Sequence, residues 1–123
     1  MYYEELTNSI IGCAIEVHKT LGPGLLESIY SKCLSDELQS RGINFVTETS
    51  LPVSYKGRNL EMGYRLDFII EDKLILELKT VEKILPIHRA QLLTYLKISK
   101  LKLGLLLNFN STVMKDGIVR LIL

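Results

Sequence analysis

Apolar residues recur at helical spacing at Tyr3, Leu6, Ile10, Cys13, Ala14, Val17 and Leu21, the stripe of an amphipathic helix over residues 3–20. Leu21-Gly22-Pro23-Gly24 breaks it, because Gly tolerates positive φ and Pro cannot continue the hydrogen-bond ladder. A second stripe, Leu26, Ile29, Tyr30, Cys33, Leu34 and Leu38, predicts a helix over residues 25–41 that stops at Gly42. The pattern then turns to strands. Residues 44–49 and 51–55 read as one strand bent at Ser50-Leu51-Pro52, with Pro tolerated at an edge or bulge. Lys56-Gly57 reads as a tight turn, and residues 59–61 lead through Gly63 into a hairpin over 64–79. Pro86 opens a third helix to about residue 98. In it His88, Gln91 and Tyr95 share a polar face, while Leu92, Leu93 and Leu96 cover the core side. Residues 102–109 form a continuous apolar run, as in a strand buried on both faces, and 117–123 a final strand.

The hairpin carries charges where a buried strand should carry none. Tyr64, Leu66, Phe68 and Ile70 alternate onto one face, leaving Arg65, Asp67 and Ile69 on the other. In the second run Leu74, Leu76 and Leu78 share a face, and Ile75, Glu77 and Lys79 the opposite one. With Glu71-Asp72-Lys73 as the loop, Ile70 pairs with Leu74, and Asp67 falls opposite Glu77 with Cβ atoms roughly 5 Å apart. Like charges placed so are destabilising unless something neutralises them, and a divalent cation would do so. The alternative is a solvated, salt-bridged face on which Arg65 and Lys79 compensate Asp67 and Glu77.

The element order, two helices, three strands, a helix and two strands, predicts an α/β (α+β) single domain with a mixed central β-sheet flanked by helices. The crossover through the third helix allows the strands on either side of it to run parallel. At 123 residues one domain over residues 1–123 is expected. No apolar run approaches the roughly 20 residues that span a bilayer, so no membrane partner is expected. The N-terminal Met-Tyr-Tyr-Glu-Glu lacks a signal peptide's basic and apolar regions, which points to a cytoplasmic protein. Cys13 and Cys33 fall on helical stripes and read as reduced core thiols, and with no CxxC and two histidines a zinc site is excluded. His18 lies beside the first stripe and reads as a surface or capping residue. The net charge of +1 is unevenly spread: residues 1–53 hold three Lys/Arg and seven Asp/Glu, residues 54–102 ten and six. The basic half is the half containing the hairpin, a weak pointer toward phosphate.

Glu27, Asp67 and Glu77 each sit where a carboxylate should be scarce. Glu27 lies in the first turn of the second helix, where either the helix dipole favours it or it points at the sheet. Phosphodiester cleavage needs hard oxygen ligands that leave positions open on a divalent metal, which two or three carboxylates supply. Lys79, two residues beyond Glu77, offers a compact positive charge for the charge developing on phosphorus.

Gly24-Leu-Leu-Glu27-Ser-Ile-Tyr30 matches the signature of the GxxExxY protein family. The match continues through Tyr64-Arg-Leu-Asp67, Glu77-Leu-Lys79, Leu85-Pro-Ile-His88, Gln91-Leu-Leu-Thr-Tyr95 and Lys115-Asp-Gly117. That family resembles a small branch of the PD-(D/E)xK nuclease superfamily, and the same residues resemble its RecB-type pattern, with Leu66 where the superfamily's name places Pro. The resemblance implies a restriction-endonuclease-like core. It implies metal-site carboxylates at Glu27, Asp67 and Glu77, a catalytic lysine at Lys79, and Gln91 and Tyr95 orienting water or the substrate phosphate. The expected activity is a Mg2+- or Mn2+-dependent nuclease acting on nucleic acid, with DNA favoured. The rival is a catalytically silent nucleic-acid or protein interaction module with the same fold. Substrate grip is expected from a homodimer, a protein partner, or basic residues such as Arg65, Lys83, Arg89 and Lys97.

Overall fold

The first apolar stripe forms α1 (Glu4–Leu21) and the second α2 (Glu27–Ser40), separated by the Gly-Pro-Gly break with Gly22 and Gly24 at positive φ. The computed structural model describes residues 3–123, apart from the side chain of Glu61; Met1 and Tyr2, part of the N-terminal segment read above, lie outside the described residues. Strands β1 (Phe45–Tyr55), β2 (Arg58–Ile70) and β3 (Leu74–Lys79) follow, then α3 (Pro86–Ser99), β4 (Leu103–Asn108), a 3-10 turn (Met114–Gly117) and β5 (Ile118–Ile122). They form one five-stranded sheet in the order β1-β2-β3-β4-β5. Only β3 and β4, the pair joined through α3, run parallel; the other neighbours are antiparallel.

The alternation along β3 and β4 divides the core in two. Leu74, Leu76 and Leu78 of β3 and Leu103, Leu105 and Leu107 of β4 pack with Ile10, Cys13 and Val17 of α1 and Tyr30, Leu34 and Leu38 of α2. Ile75 and Leu106 point the other way, onto Leu92, Tyr95 and Leu96 of α3. β3 and β4 are therefore buried on both faces, each fully buried leucine contributing roughly 1.5–3 kcal/mol. This anchors the strand that carries Glu77 and Lys79. Gly104 lets α3 approach, since a Cβ there would lie 2.8–2.9 Å from the Leu92 side chain.

Tyr64, Leu66, Phe68 and Ile70 do not share a face. Phe68 and Ile70 pack toward α1 and α2, whereas Leu66 packs toward α3 and Tyr64 rests on Tyr95 of α3. The same change of side occurs in β1, where Phe45 joins the first core and Leu51 the second. The switch lies at Glu48 and Asp67. The ladder pairs Thr47 with Phe68 and Thr49 with Leu66 but skips the pair between them, and Glu48 is left-handed with φ of +50°. A non-glycine residue there costs roughly 1–2 kcal/mol, offset by the apolar burial gained on both sides of the switch.

Further expectations change. Residues 58–70 are one long strand rather than a lead-in followed by a hairpin arm, and the irregularity in β1 falls between Pro52 and Ser54, at the end of the expected Ser50-Leu51-Pro52 bend. His18 is buried, its Nε2 2.7 Å from the Ser111 carbonyl, so it ties α1 to the turn after β4 instead of facing solvent. Cys13 is a core thiol, but Cys33 is only partly buried at the rim.

The tight α3–β4 contact makes a coupled prediction. Gly104→Ala lowers stability by about 1–3 kcal/mol through overpacking. Gly104→Ala/Leu92→Ala recovers part of that loss relative to the sum of the single changes, measured by denaturant unfolding.

Candidate active site

The β2–β3 ladder stops at Phe68 opposite Leu76. One register further on, side chains supply the hydrogen bonds between the strands. The Asp67 N–H donates to Glu77 Oε2 at 2.8 Å, and the Leu78 N–H donates to Asp67 Oδ2 at 2.8 Å. Hydrogen bonds to carboxylate oxygens are stronger than neutral ones, which holds the strands together where the backbone pattern lapses. The exchange also fixes both carboxyl groups side by side. Glu77 is only 5% exposed, although its partner is another acid.

Glu27 opens α2 and is exposed. It lines, with Ser31, Thr47, Glu48, Asp67 and Leu78, a cavity of about 360 Å³ between α2 and the β1–β2–β3 edge. The pull of the helix N-terminus and a position facing the sheet, separate readings in the sequence, thus coincide. Partial desolvation at the cavity wall raises the carboxyl of the otherwise exposed Glu27, and the Asp67 charge adds to that while Lys79 opposes it. Burial likewise raises Asp67 against the counter-pull of the Leu78 N–H and Lys79. Glu77 is pushed up to about 8, first by burial and then by the Asp67 charge.

Lys79 ends β3 beside these acids and acts on all three electrostatically. Its backbone is pinned, with the Lys79 carbonyl accepting from the Phe109 N–H at 2.9 Å. The buried Asn108 side chain clamps the chain just beyond, donating to the Val81 carbonyl at 2.8 Å and accepting from the Val81 N–H at 3.1 Å.

The salt-bridged face considered for the hairpin is not what forms. Arg65 pairs with Glu48 at 3.3 Å on the exposed side, and among the described residues no ion pair within 4.0 Å reaches Asp67 or Glu77. The predicted polar face of α3 also divides. Tyr95 is buried in the α3 core against Tyr64, with ring centroids 4.9 Å apart, and its hydroxyl is raised by burial and by the Glu77 charge. Gln91, one turn earlier, is exposed. His88 turns back to accept the Leu85 N–H through Nδ1 at 2.9 Å, a helix cap rather than a site group.

The sequence reading passed over Glu48 and Asn108. Asn108 had a signal, a polar residue closing an otherwise apolar strand. Glu48 had none, because its role comes from a left-handed backbone.

Asp67 and Glu77 each spend one oxygen on a backbone N–H and keep the other. A hard divalent cation suits this donor set, since it supplies positive charge to raised, unpaired carboxyls and takes oxygen ligands. Among the described residues no three acidic, His or Cys side chains are grouped closely enough to hold a metal ion.

The sign of the pH dependence follows from the raised carboxyl of Glu77. Between about 4.5, its ordinary value, and about 8 the folded protein retains a proton that the unfolded chain has lost. Stability of the metal-free protein is therefore full below this window and falls as pH rises through it. The thermal midpoint in chelator should drop between about pH 5 and pH 8.5. Glu77→Gln, which keeps an acceptor for the Asp67 N–H, should remove most of the drop; an identical slope in both proteins would refute the buried-acid assignment.

No helix among the described residues is long and apolar enough to cross a membrane. Neither the curated proteins nor the solved structures contain a match to the chain. At the level of families, residues 4–121 match the PD-(D/E)XK nuclease superfamily, whose nucleases generally use divalent metal ions. A match over nearly the whole chain, on a mixed sheet with helices on both faces, means that the chain belongs to the PD-(D/E)XK nuclease superfamily.

Proposed function

We propose that this chain is a divalent-metal-dependent nuclease of the GxxExxY branch that hydrolyses phosphodiester bonds in nucleic acid, DNA in preference, as a single cytoplasmic domain over residues 1–123. The observation that carries the reading is the paired carboxyls of Asp67 and Glu77, locked to each other's strand, with Lys79 two residues on. Asp67 and Glu77 would hold Mg2+ or Mn2+, with Glu27 contributing from the cavity wall. The bound ion supplies Lewis-acid activation of the scissile phosphate and of a water. Lys79 places a positive charge beside the phosphate, where negative charge grows as the attacking oxygen adds and the 3′ or 5′ oxygen leaves. Gln91, exposed on α3, and Tyr95, whose hydroxyl feels the Glu77 charge, would orient the water or a phosphate oxygen. The raised carboxyls mean that cation binding displaces protons, so affinity falls with pH.

Asp67→Asn and Lys79→Ala should each lower cleavage of DNA by roughly 100-fold or more, with the fold retained. Activity that survives Lys79→Ala would locate the chemistry elsewhere. Calorimetric titration of Mg2+ or Mn2+ into the wild type should give binding that Asp67→Ala abolishes and that weakens from about pH 8 to pH 5. Binding unaffected by that substitution would remove the metal assignment.

A further inference from the structure

The paired β1–β2 ribbon extends well past the sheet. β2 pairs with β3 only through Phe68–Ile70, whereas its ladder with β1 continues to Tyr55 opposite Arg58. Leu51 and Tyr64 are the last residues held against α3, through its core and the Tyr95 ring. Beyond them residues 52–55 of β1 and 58–63 of β2 project, roughly 13 Å of two-stranded ribbon. It ends in a two-residue turn, Lys56-Gly57, with φ of +50° and +78°, so the tip is narrow.

Charge is positive at the ribbon's tip. The projecting segment, residues 52–63, holds Lys56 and Arg58 at the turn and one acid, Glu61, further back. Both cations are exposed, and the Lys56 ammonium sits 5.4 Å from the centre of the Tyr55 ring, directly opposite Arg58 across the ladder. At the ribbon's base Arg65 is already matched to Glu48. The candidate site itself brings Glu27 and Asp67 together beside the protonated Glu77, with Lys79 acting on all three, a surface that offers a polyanion little attraction until a metal ion binds. Grip on a phosphate backbone has to come from outside it.

Reach bears on the form of nucleic acid. Arg58 and Asp67 lie nine residues apart on β2, but the irregularity takes up two of these, since the positions opposite them on β1, Tyr55 and Glu48, are seven apart, about 23 Å at strand rise. One turn of B-form duplex is about 34 Å, and its major groove admits a two-stranded ribbon. We infer that the β1–β2 ribbon is a duplex-DNA grip, its Lys56 and Arg58 tip engaging the backbone about two-thirds of a turn from the phosphate presented to Asp67. The inference deepens the nuclease reading and rests on it for the position of the cut. The apolar residues of the ribbon, Leu60 and Met62, lie at the irregularity opposite Val53 and belong to the rival occupant, a protein partner or second copy.

Binding tests this without catalysis. Fluorescence anisotropy of a labelled duplex of about 20 base pairs in chelator, titrated at several salt concentrations, compares wild type with Lys56→Ser/Arg58→Ser and with Leu60→Ser/Met62→Ser. The charge variant should bind roughly 10-fold or more weakly, with the slope of log affinity against log salt reduced by about 1.8 for two lost phosphate contacts. Lys56→Arg/Arg58→Lys should restore binding, and the apolar variant should bind as wild type. A charge variant with unchanged affinity and slope overturns the inference. So does a loss confined to the apolar variant, or a loss seen on a single strand of equal length and not on the duplex. Duplex binding that depends on Lys56 and Arg58 in a protein that never cleaves would retain the grip and refute the nuclease reading.

Discussion

Two backbone N–H groups at the centre of the molecule, those of Asp67 and Leu78, bond to carboxyl oxygens where a sheet would ordinarily offer carbonyls. The rest of the architecture accommodates that exchange. The β2–β3 ladder ends at this point, β1 takes up a left-handed Glu48 opposite, and both β1 and β2 move their apolar residues from the α1–α2 core to the α3 core. A sheet of strict alternation could not feed both cores from one strand face.

Holding two acids together in the interior is unfavourable, and the fold shows what sustains it. Glu77 keeps a proton at neutral pH in the absence of a cation, which removes one of the two charges. The strand bearing it is flanked by β2 and β4 and buried on both faces, so it cannot swing away to solvate the carboxyl. Asn108 and the Phe109 N–H fasten the chain on either side of the exit from Lys79. The result is a preorganised group of acids with a lysine beside it, the condition under which electrostatic stabilisation of a developing charge is effective. Belonging to a nuclease superfamily gives that arrangement its chemical context.

Much of the fold was legible in the chain because burial imposes period. The stripes of α1 and α2, the Gly-Pro-Gly break, Pro86 at the start of α3 and the leucine run of β4 each follow from a local rule, and all are present. The hairpin register was legible for the same reason: fixing the loop at 71–73 fixed Ile70 against Leu74. The side of the sheet taken by Leu66 was not legible, since period two extrapolates through Asp67 and nothing in the residue types announces an interruption. Tyr95 was misread in the same way. Helical spacing grouped it with His88 and Gln91, but the ring is large enough to reach the core and pack at a tilt against Tyr64. His18 looked like a surface residue until the turn after β4 came to cover it.

By itself the sequence determined which residue types stand where: three carboxylates in sparse positions, a lysine two places beyond the last, and a hydrophobic pattern that forces a helix-covered mixed sheet. These are properties of neighbours along the chain, where spacing is geometry. Only the tertiary structure decided that Asp67 and Glu77 hydrogen-bond to each other's strand, that Glu27 shares a cavity with Asp67, and that Arg65 answers Glu48 instead of the site acids. Those outcomes turn on competition among distant partners for the same backbone groups and charges, and that competition is resolved by which surfaces the two cores bring into contact.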